Sequence, residues 1–361
     1  MKVKLEDVCE CGSSNLRQSD TAGKSGDYPI YGASGYIGNV DFYHQERPYV
    51  AVVKDGAGVG RAMLLPAKSS VIGTMQYLLP KGNVLPEYLY YAIRHMHLEK
   101  YFSGATIPHI YFRDYKTETF NLEPTTCQAE IVTVLHCAEA IISARQQQLQ
   151  KLDELVKARF VELFGDMAHS NNKICLEEIS DFVTVGIANS ATHAYADSGV
   201  VMLRNQNIKE NYLDENDLIY ITPDFAQKYG SKQLAENDIL VIRTGYPGVA
   251  CLVPKKYEGC QTFTTLIVRL KDSTLAHANY VCHYINSSFG KDYVEQSKVG
   301  VAQQNFGAKA LAKMPIAVPP VELQKQFAAF VEQTDKSKLA VQQSLDKLKL
   351  LKEALMQKYF G

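Results

Sequence analysis

Between residues 128 and 164 the chain holds neither Pro nor Gly. Apolar positions recur there at Ile131, Leu135, Ala138, Ile142, Leu149, Leu152, Val156 and Leu163, with Arg145 and Arg159 interrupting. Steps alternating between three and four give the 3.5-residue period of a coiled-coil seam. A second stretch carries Phe327, Val331, Thr334, Val341, Leu345, Leu348 and Leu355 at the same spacing. Pro124 and Pro319-Pro320 end whatever precedes each stretch, and Gly165 and Gly361 stand where a C-terminal cap belongs. The pattern predicts two helices of about 35 residues, each roughly 50 Å long at 1.5 Å per residue. One such helix alone would expose its seam, so the two are expected to pair, antiparallel. The predicted packing positions are Ile131, Leu135, Ile142, Leu149, Leu152 and Leu155 on the first helix, and Phe327, Val331, Val341, Leu345, Leu348 and Leu351 on the second.

The two helices are copies. Residues 144–165 laid over 340–361, at an offset of 196 and without a gap, agree at 10 of 22 positions. The agreement includes polar positions and the closing Phe-Gly, which a shared Leu spacing would not produce. Upstream, Pro124 meets Pro320, Gln128 meets Gln324, and Gly104 meets Gly300. Leu5-Glu6-Asp7-Val8 resembles Leu176-Glu177-Glu178-Ile179, and the alignment places Gly58-Val59 on Gly248-Val249. Each half therefore runs from a short acidic entry, through a variable region, into a long helix. The expected boundaries are 1–123, 124–165, 166–318 and 319–361.

The variable regions alternate strand and helix signals. Tyr49–Val53, Ala62–Leu65 and Thr119–Leu122 read as strands, Val71–Leu79 contains another, and Pro86–Tyr101 reads as a helix. In the second half Ile239–Arg243, Val249–Val253, Thr262–Leu270 and Pro315–Val318 read as strands, with helical stretches in Ala278–Glu295. The fold class is α+β: two α/β domains separated by two long antiparallel coiled-coil-like helices, in a pseudo-two-fold internal repeat.

Composition narrows the functional class. Among 361 residues, 38 Lys and Arg against 39 Asp and Glu exclude a strongly basic nucleic-acid binder at whole-chain level. A hydrophobic content of 46% excludes a disordered chain. The eight cysteines are scattered, with only Cys9 and Cys11 close, so neither a disulfide framework nor a four-ligand zinc site is expected. The opening MKVKLEDVCE lacks the apolar core of a signal peptide, and there is no run of 18 apolar residues, so a soluble cytoplasmic protein is expected.

Catalytic patterns fail on context. Asp55-Gly56-Ala57-Gly58-Val59-Gly60 follows a strand as a dinucleotide loop would, but Arg61–Pro66 continues as a strand and not a helix. Gly23-Lys24-Ser25 lacks the earlier Gly of a phosphate loop, since position 18 is Gln. No zincin, hydrolase-elbow or amino-methylating motif occurs. What remains are polar and basic loops at matched places in the two halves. Arg offers bidentate bonds to guanine, Asn and Gln to adenine, and Lys or Arg can hold phosphates. The candidate DNA-contact residues are Lys54, Arg61, Thr106, His109, Tyr111 and Arg113 in the first half. In the second they are Arg204, Asn205, Arg243, Tyr246, Lys298, Gln303, Gln304, Asn305 and Lys309. No metal ligands are assigned. Each of these residues also has an ordinary reading as a solvated side chain.

The order of variable region, long helix ending in Phe-Gly, second variable region and second such helix resembles the specificity subunit of type I restriction–modification enzymes. The resemblance covers essentially the whole chain. It rests chiefly on Leu152–Gly165 and Leu348–Gly361, on the Pro-x-x-x-Gln entries at 124–128 and 320–324, and on the Leu-Glu-Asp-Val and Leu-Glu-Glu-Ile starts. It implies a non-catalytic subunit whose two target-recognition domains each read half of a bipartite DNA site, with the paired helices setting the gap. It further implies two methyltransferase subunits as partners, and translocase–endonuclease subunits besides. S-adenosylmethionine, ATP and Mg would belong to those partners and not to this chain. A coiled-coil scaffold with protein-binding ends fits the repeat equally well, and a nucleotide-dependent enzyme built on Gly56–Gly60 is the third reading.

Overall fold

The computed structural model describes all residues except 22, 105–107, 166–172, 189–193, 273–274 and 299–304. The chain divides into two compact units, one formed by Met1–Leu149 with Ala340–Gly361 and the other by Gln150–Leu339. In the first unit the described elements are β1 (Lys2–Lys4), α1 (Leu5–Val8), β2 (Cys9–Ser13), β3 (Tyr28–Gly32), β4 (Gly35–Val40), β5 (Tyr49–Val53), β6 (Ala62–Leu65), β7 (Ser70–Val71), β8 (Met75–Pro80), α2 (Pro86–Met96), α3 (Phe112–Tyr115) and β9 (Thr119–Asn121). An antiparallel sheet runs β2-β8-β5-β6, a smaller sheet runs β4-β3-β7, and β1 pairs with β9. All five residues of β5 are buried. Its alternation sends Val50 and Val52 into a core with Tyr88, Leu89 and Ala92 of α2, while Tyr49, Ala51 and Val53 join Leu65 and Tyr77 on the other face. The helix expected over Pro86–Tyr101 is interrupted: His97 takes the left-handed conformation at φ 53°, and Leu98–Tyr101 forms a 3₁₀ turn. The strand expected within Val71–Leu79 is β8, and the short β7 ends at Val71.

The long helix α4 (Thr125–Phe164) enters the second unit. There follow β10 (Lys173–Cys175), β11 (Ser180–Val185), β12 (Tyr195–Ala196), β13 (Val200–Leu203), β14 (Ile208–Lys209), β15 (Tyr212–Leu213), β16 (Ile219–Ile221), α5 (Pro223–Lys228), β17 (Ile239–Val241), β18 (Ala250–Leu252), β19 (Gln261–Thr262), β20 (Leu266–Leu270), α6 (Ala278–Asn286), α7 (Ser288–Ser297), α8 (Ala308–Ala312), β21 (Pro315–Ala317) and α9 (Val321–Phe360). The sheet β11-β20-β17-β18 repeats the strand arrangement of β2-β8-β5-β6, and β10 pairs with β21 as β1 does with β9. A second sheet, β12-β16-β13-β19, and the hairpin β14-β15 lengthen this half. The strand expected over Thr262–Leu270 is broken because Thr264 sits at φ 59°, where its N–H reaches the Ile187 carbonyl at 3.0 Å.

Within each unit the two long helices run antiparallel. In the first, Glu139 of α4 bonds Lys352 of α9, and Ile131 shares a core with Phe360. In the second, Asp153 meets Lys338 at 2.7 Å, and the rings of Phe164 and Phe327 lie 5.6 Å apart. Ile131, Leu135, Phe327, Val331, Val341 and Leu345 are buried, and Ile142, Leu149, Leu152 and Leu348 are half-buried. Leu155 and Leu351 correct the expected seam: they are 48% and 52% exposed. At 3.6 residues per turn, the position one before Val156 on α4 lies about 100° round the helix from the buried stripe. One 18-residue window of α4 reaches a mean hydropathy of 1.3, enough by length and composition to cross a bilayer, contrary to the expectation of no such segment. Within that helix Ile131, Val132, Leu135 and Ala138 are buried, while Val134 and Ile141 are exposed.

Candidate nucleic-acid interface

In the first unit the turn after β5 lies against the loop before α3. Asp55 and His109 form an antiparallel bridge, the Gly56 N–H donates to the Pro108 carbonyl at 2.9 Å, and the Ile110 N–H donates to the Lys54 carbonyl at 2.9 Å. Ile110 is buried and anchors the loop, so the side chains around it face outward. The imidazole of His109 lies 4.9 Å from the Tyr111 ring, and the Arg113 guanidinium stands 4.6 Å over the same ring. Tyr111 is 44% exposed, and Phe102, which precedes the Ser103–His109 bridge, is 59% exposed. Phe102 was not singled out from the sequence; an aromatic flanking a Gly-containing polar loop was the available signal.

The second unit repeats this geometry. The Phe306 N–H donates to the Arg243 carbonyl at 2.9 Å, Thr244 and Asn305 form the bridge, and Phe306 is the buried anchor. The backbone bonds fix the correspondence of the halves. Gly60 N–H bonds the Val53 carbonyl, as Gly248 N–H bonds that of Ile242, both at 2.9 Å. Gly248 therefore matches Gly60, and not Gly58 as the sequence alignment has it. The first turn is one residue longer, and hydrogen bonding, which a gapless alignment does not see, sets the register. Both glycines have positive φ, 85° and 92°. A Cβ on Gly60 would lie 2.4 Å from the Glu99 backbone nitrogen, so no other residue fits that approach.

With this register Lys54 corresponds to Arg243, His109 to Asn305, and Arg113 to Lys309. Each of the last two is the second residue of a short helix, α3 or α8. The Arg243 Nε donates to Asn305 Oδ1 at 3.0 Å. Asn205 donates to the carbonyl and hydroxyl of Thr244, both at 3.3 Å, while its own Oδ1 is buried without a partner among the described residues. Tyr246, at the tip of the same turn, is 82% exposed. Arg243, Asn305, Asn205 and Tyr246 are thus brought together, with Lys309 four residues on.

Other predicted residues bond different neighbours. Arg61 is turned to the Ala33 carbonyl of the β3–β4 hairpin, and Arg204 is tied to the Asp217 carbonyl. Lys298 is paired with Glu295 and only 15% exposed. Each of these three cations has a local partner that sequence spacing does not reveal, and the Arg204 Nε has none among the described residues. Thr106, Gln303 and Gln304 lie outside the described residues.

Residues 1–154 and 170–350 match the type I restriction modification DNA specificity domain, so the match runs through both halves of the repeat. The chain belongs to the type I restriction–modification DNA specificity family. It is similar to the EcoEI specificity subunit of Escherichia coli, at 32% identity over 105 residues. That alignment spans 28% of this chain and 18% of the relative. The fold is that of the type I system S subunit from M. genitalium, with a TM-score of 0.59 at 14% identity, covering 100% of this chain and 96% of that one. A second structure, described in connection with complex assembly and conformational transition of a type I system, matches with a TM-score of 0.55 at 15% identity, over 99% and 97% of the two chains. Membership assigns both halves of the chain to a DNA specificity domain.

Proposed function

We propose that each of the two matched loop clusters reads one half of a bipartite DNA site. The observation that carries this reading is the cluster itself, built twice on one backbone pattern. A cation (Lys54 or Arg243) is held by its own carbonyl beside a polar side chain (His109 or Asn305), and a second cation (Arg113 or Lys309) follows. The backbone is the same and the side chains differ, as two readers of different half-sites require. Where Asn305 Oδ1 accepts from Arg243, the remaining guanidinium N–H groups are oriented as donors, which suits guanine O6 and N7. Thr106, Gln303 and Gln304 belong to the same two loops by sequence and complete the proposed contact set.

The helices α4 and α9 set the unread gap and dock two methyltransferase subunits. Leu155 and Leu351 occupy the same repeat position and are both exposed, so a pair of like apolar sites is offered to a pair of like partners. S-adenosylmethionine, ATP and Mg act on those partners and on translocase–endonuclease subunits. Sequencing of modified adenines in cells that make the whole complex tests the reading. A split methylated motif is expected. Its absence, or complex–DNA affinity that does not fall with salt, would favour a protein scaffold instead.

A further inference from the structure

The second unit holds a cavity of about 460 Å³ that the DNA reading does not use. It opens beside the C-terminal turns of α4 and the junction of α6 with α7. Phe160, Val161 and Phe289 give it an apolar wall. On the other side Lys157 and Lys291 both contact Glu210, at 2.8 and 3.0 Å. Two ammonium groups on one carboxylate leave an excess positive charge. Burial pushes the Glu210 carboxyl up, but bonds from the two lysines outweigh it and hold it below its ordinary range.

Two further features point to an absent anion with a ring. The first is the start of α7, a ten-residue helix. Its N-cap, Ser287, makes no capping bond; its hydroxyl donates instead to the Tyr284 carbonyl at 2.6 Å. Ser287, Ser288 and Phe289 line the cavity, so the positive end of the helix borders it. The second is His283, which is 8% exposed and lines the same cavity. Its ring lies 5.0 Å from that of Phe327 and 6.4 Å from that of Phe160, within electrostatic reach of Lys338, Glu210 and Lys157, and no hydrogen bond to it is seen among the described residues. Its ring nitrogens are not among the sealed polar atoms without a partner, so they are open to the cavity, where a ligand could take the place of water. Burial also keeps the imidazole neutral, with a pKa pushed down to about 3.

The first unit makes no such arrangement at the matching place. Six residues after the N-cap of α2 stands Tyr91, as His283 stands six after that of α6, and Tyr91 bonds Glu139 at 2.8 Å. There α2 is followed by a 3₁₀ turn and not by a second helix. The cavity is therefore not a by-product of the repeated scaffold.

We infer that the cavity binds a small organic anion bearing an aromatic ring, with the anion at the start of α7 between Lys157 and Lys291 and the ring against Phe160 and Phe289. Neutral His283 would hydrogen-bond a polar atom of the ring or its substituent. The inference stands independently of DNA recognition.

The test is calorimetric titration of the full chain with benzoate, acetate and inorganic phosphate. Benzoate is expected to bind at one saturable site, at least about tenfold more tightly than acetate or phosphate because the ring is buried as well. Ser288→Asp places a carboxylate at a helix start that favours it, so folding should be kept while benzoate binding is lost. Lys291→Ala should weaken binding about tenfold. Equal affinity for acetate and benzoate, no saturable benzoate binding, or undiminished binding to a folded Ser288→Asp chain would each overturn the inference.

Discussion

Two glutamines show how single residues hold the repeat together. Gln128 and Gln324 are fully buried at the starts of α4 and α9. The Gln128 Oε1 accepts from the Leu85 N–H at 2.8 Å, and its Nε2 donates to the carbonyls of Asn83 at 3.0 Å and Glu123 at 2.7 Å. Gln324 does the same for His277, Leu275 and Pro319. Each amide ties a long helix to the N-cap of the core helix, α2 or α6. Gln128→Leu would remove the partner of three part-buried backbone groups, at up to about 1–3 kcal/mol each where water cannot replace it. A loss of about 3–5 kcal/mol is expected, read as a lowered urea midpoint for the first unit. A loss below about 1 kcal/mol would show that the backbone groups find other partners.

Glu139 supplies the pH-sensitive contact. It accepts from Tyr91 at 2.8 Å, from Arg94 at 2.7 Å and from Lys352. Burial pushes its carboxyl up, but the three donors outweigh this and bring it down to about 2 from an ordinary 4.5. A carboxyl depressed on folding contributes stability above its unfolded value, and that stability is lost as pH falls through the folded one. The contact between α4 and the end of α9 should therefore weaken between pH 4.5 and about 2. In Glu139→Gln, acid unfolding followed by circular dichroism should lose that part of its pH dependence. An unchanged acid transition would mean the carboxylate is stabilised equally in the unfolded chain.

At the scale of elements, the long helices are specified by their stripes and used on more than one face. The stripe from Ile131 to Phe164 puts apolar positions inward at steps of three and four, while Leu155 and its copy Leu351 face out. Removing four residues within 146–158 takes out about one turn, so the stripe stays nearly in register. The helix shortens by about 6 Å, close to two base pairs at about 3.4 Å each. The methylated motif is expected to keep both half-sites and change its gap. Altered half-site sequences would count against the helices as the spacer.

For the whole molecule, the internal repeat builds the two proposed recognition clusters separately. Each closes on its own buried anchor, Ile110 or Phe306, and its own glycine turn. Exchanging 1–123 for the corresponding region of a relative with another specificity should change one half of the methylated motif and leave the other intact. A change in both halves would show that the clusters do not read independently. The net charge of -1 fits this organisation, because the cations proposed to contact DNA are few and local.

The sequence by itself determined the repeat, the two helices, most strands and the family, because these rest on periodicity and on residues repeated at a fixed offset. It also placed Lys54, His109, Arg113, Arg243, Asn305 and Lys309 in matched loops. Only the tertiary structure decided the pairing among them. Bridges such as Asp55–His109 join residues far apart in the chain, and the one-residue difference between the turns shows only in their hydrogen bonds. The structure likewise gives Arg61, Arg204 and Lys298 one local partner each, and turns Leu155 and Leu351 outward. A side chain's partner and its angle around a helix depend on what packs beside it, and sequence spacing carries that information only in part.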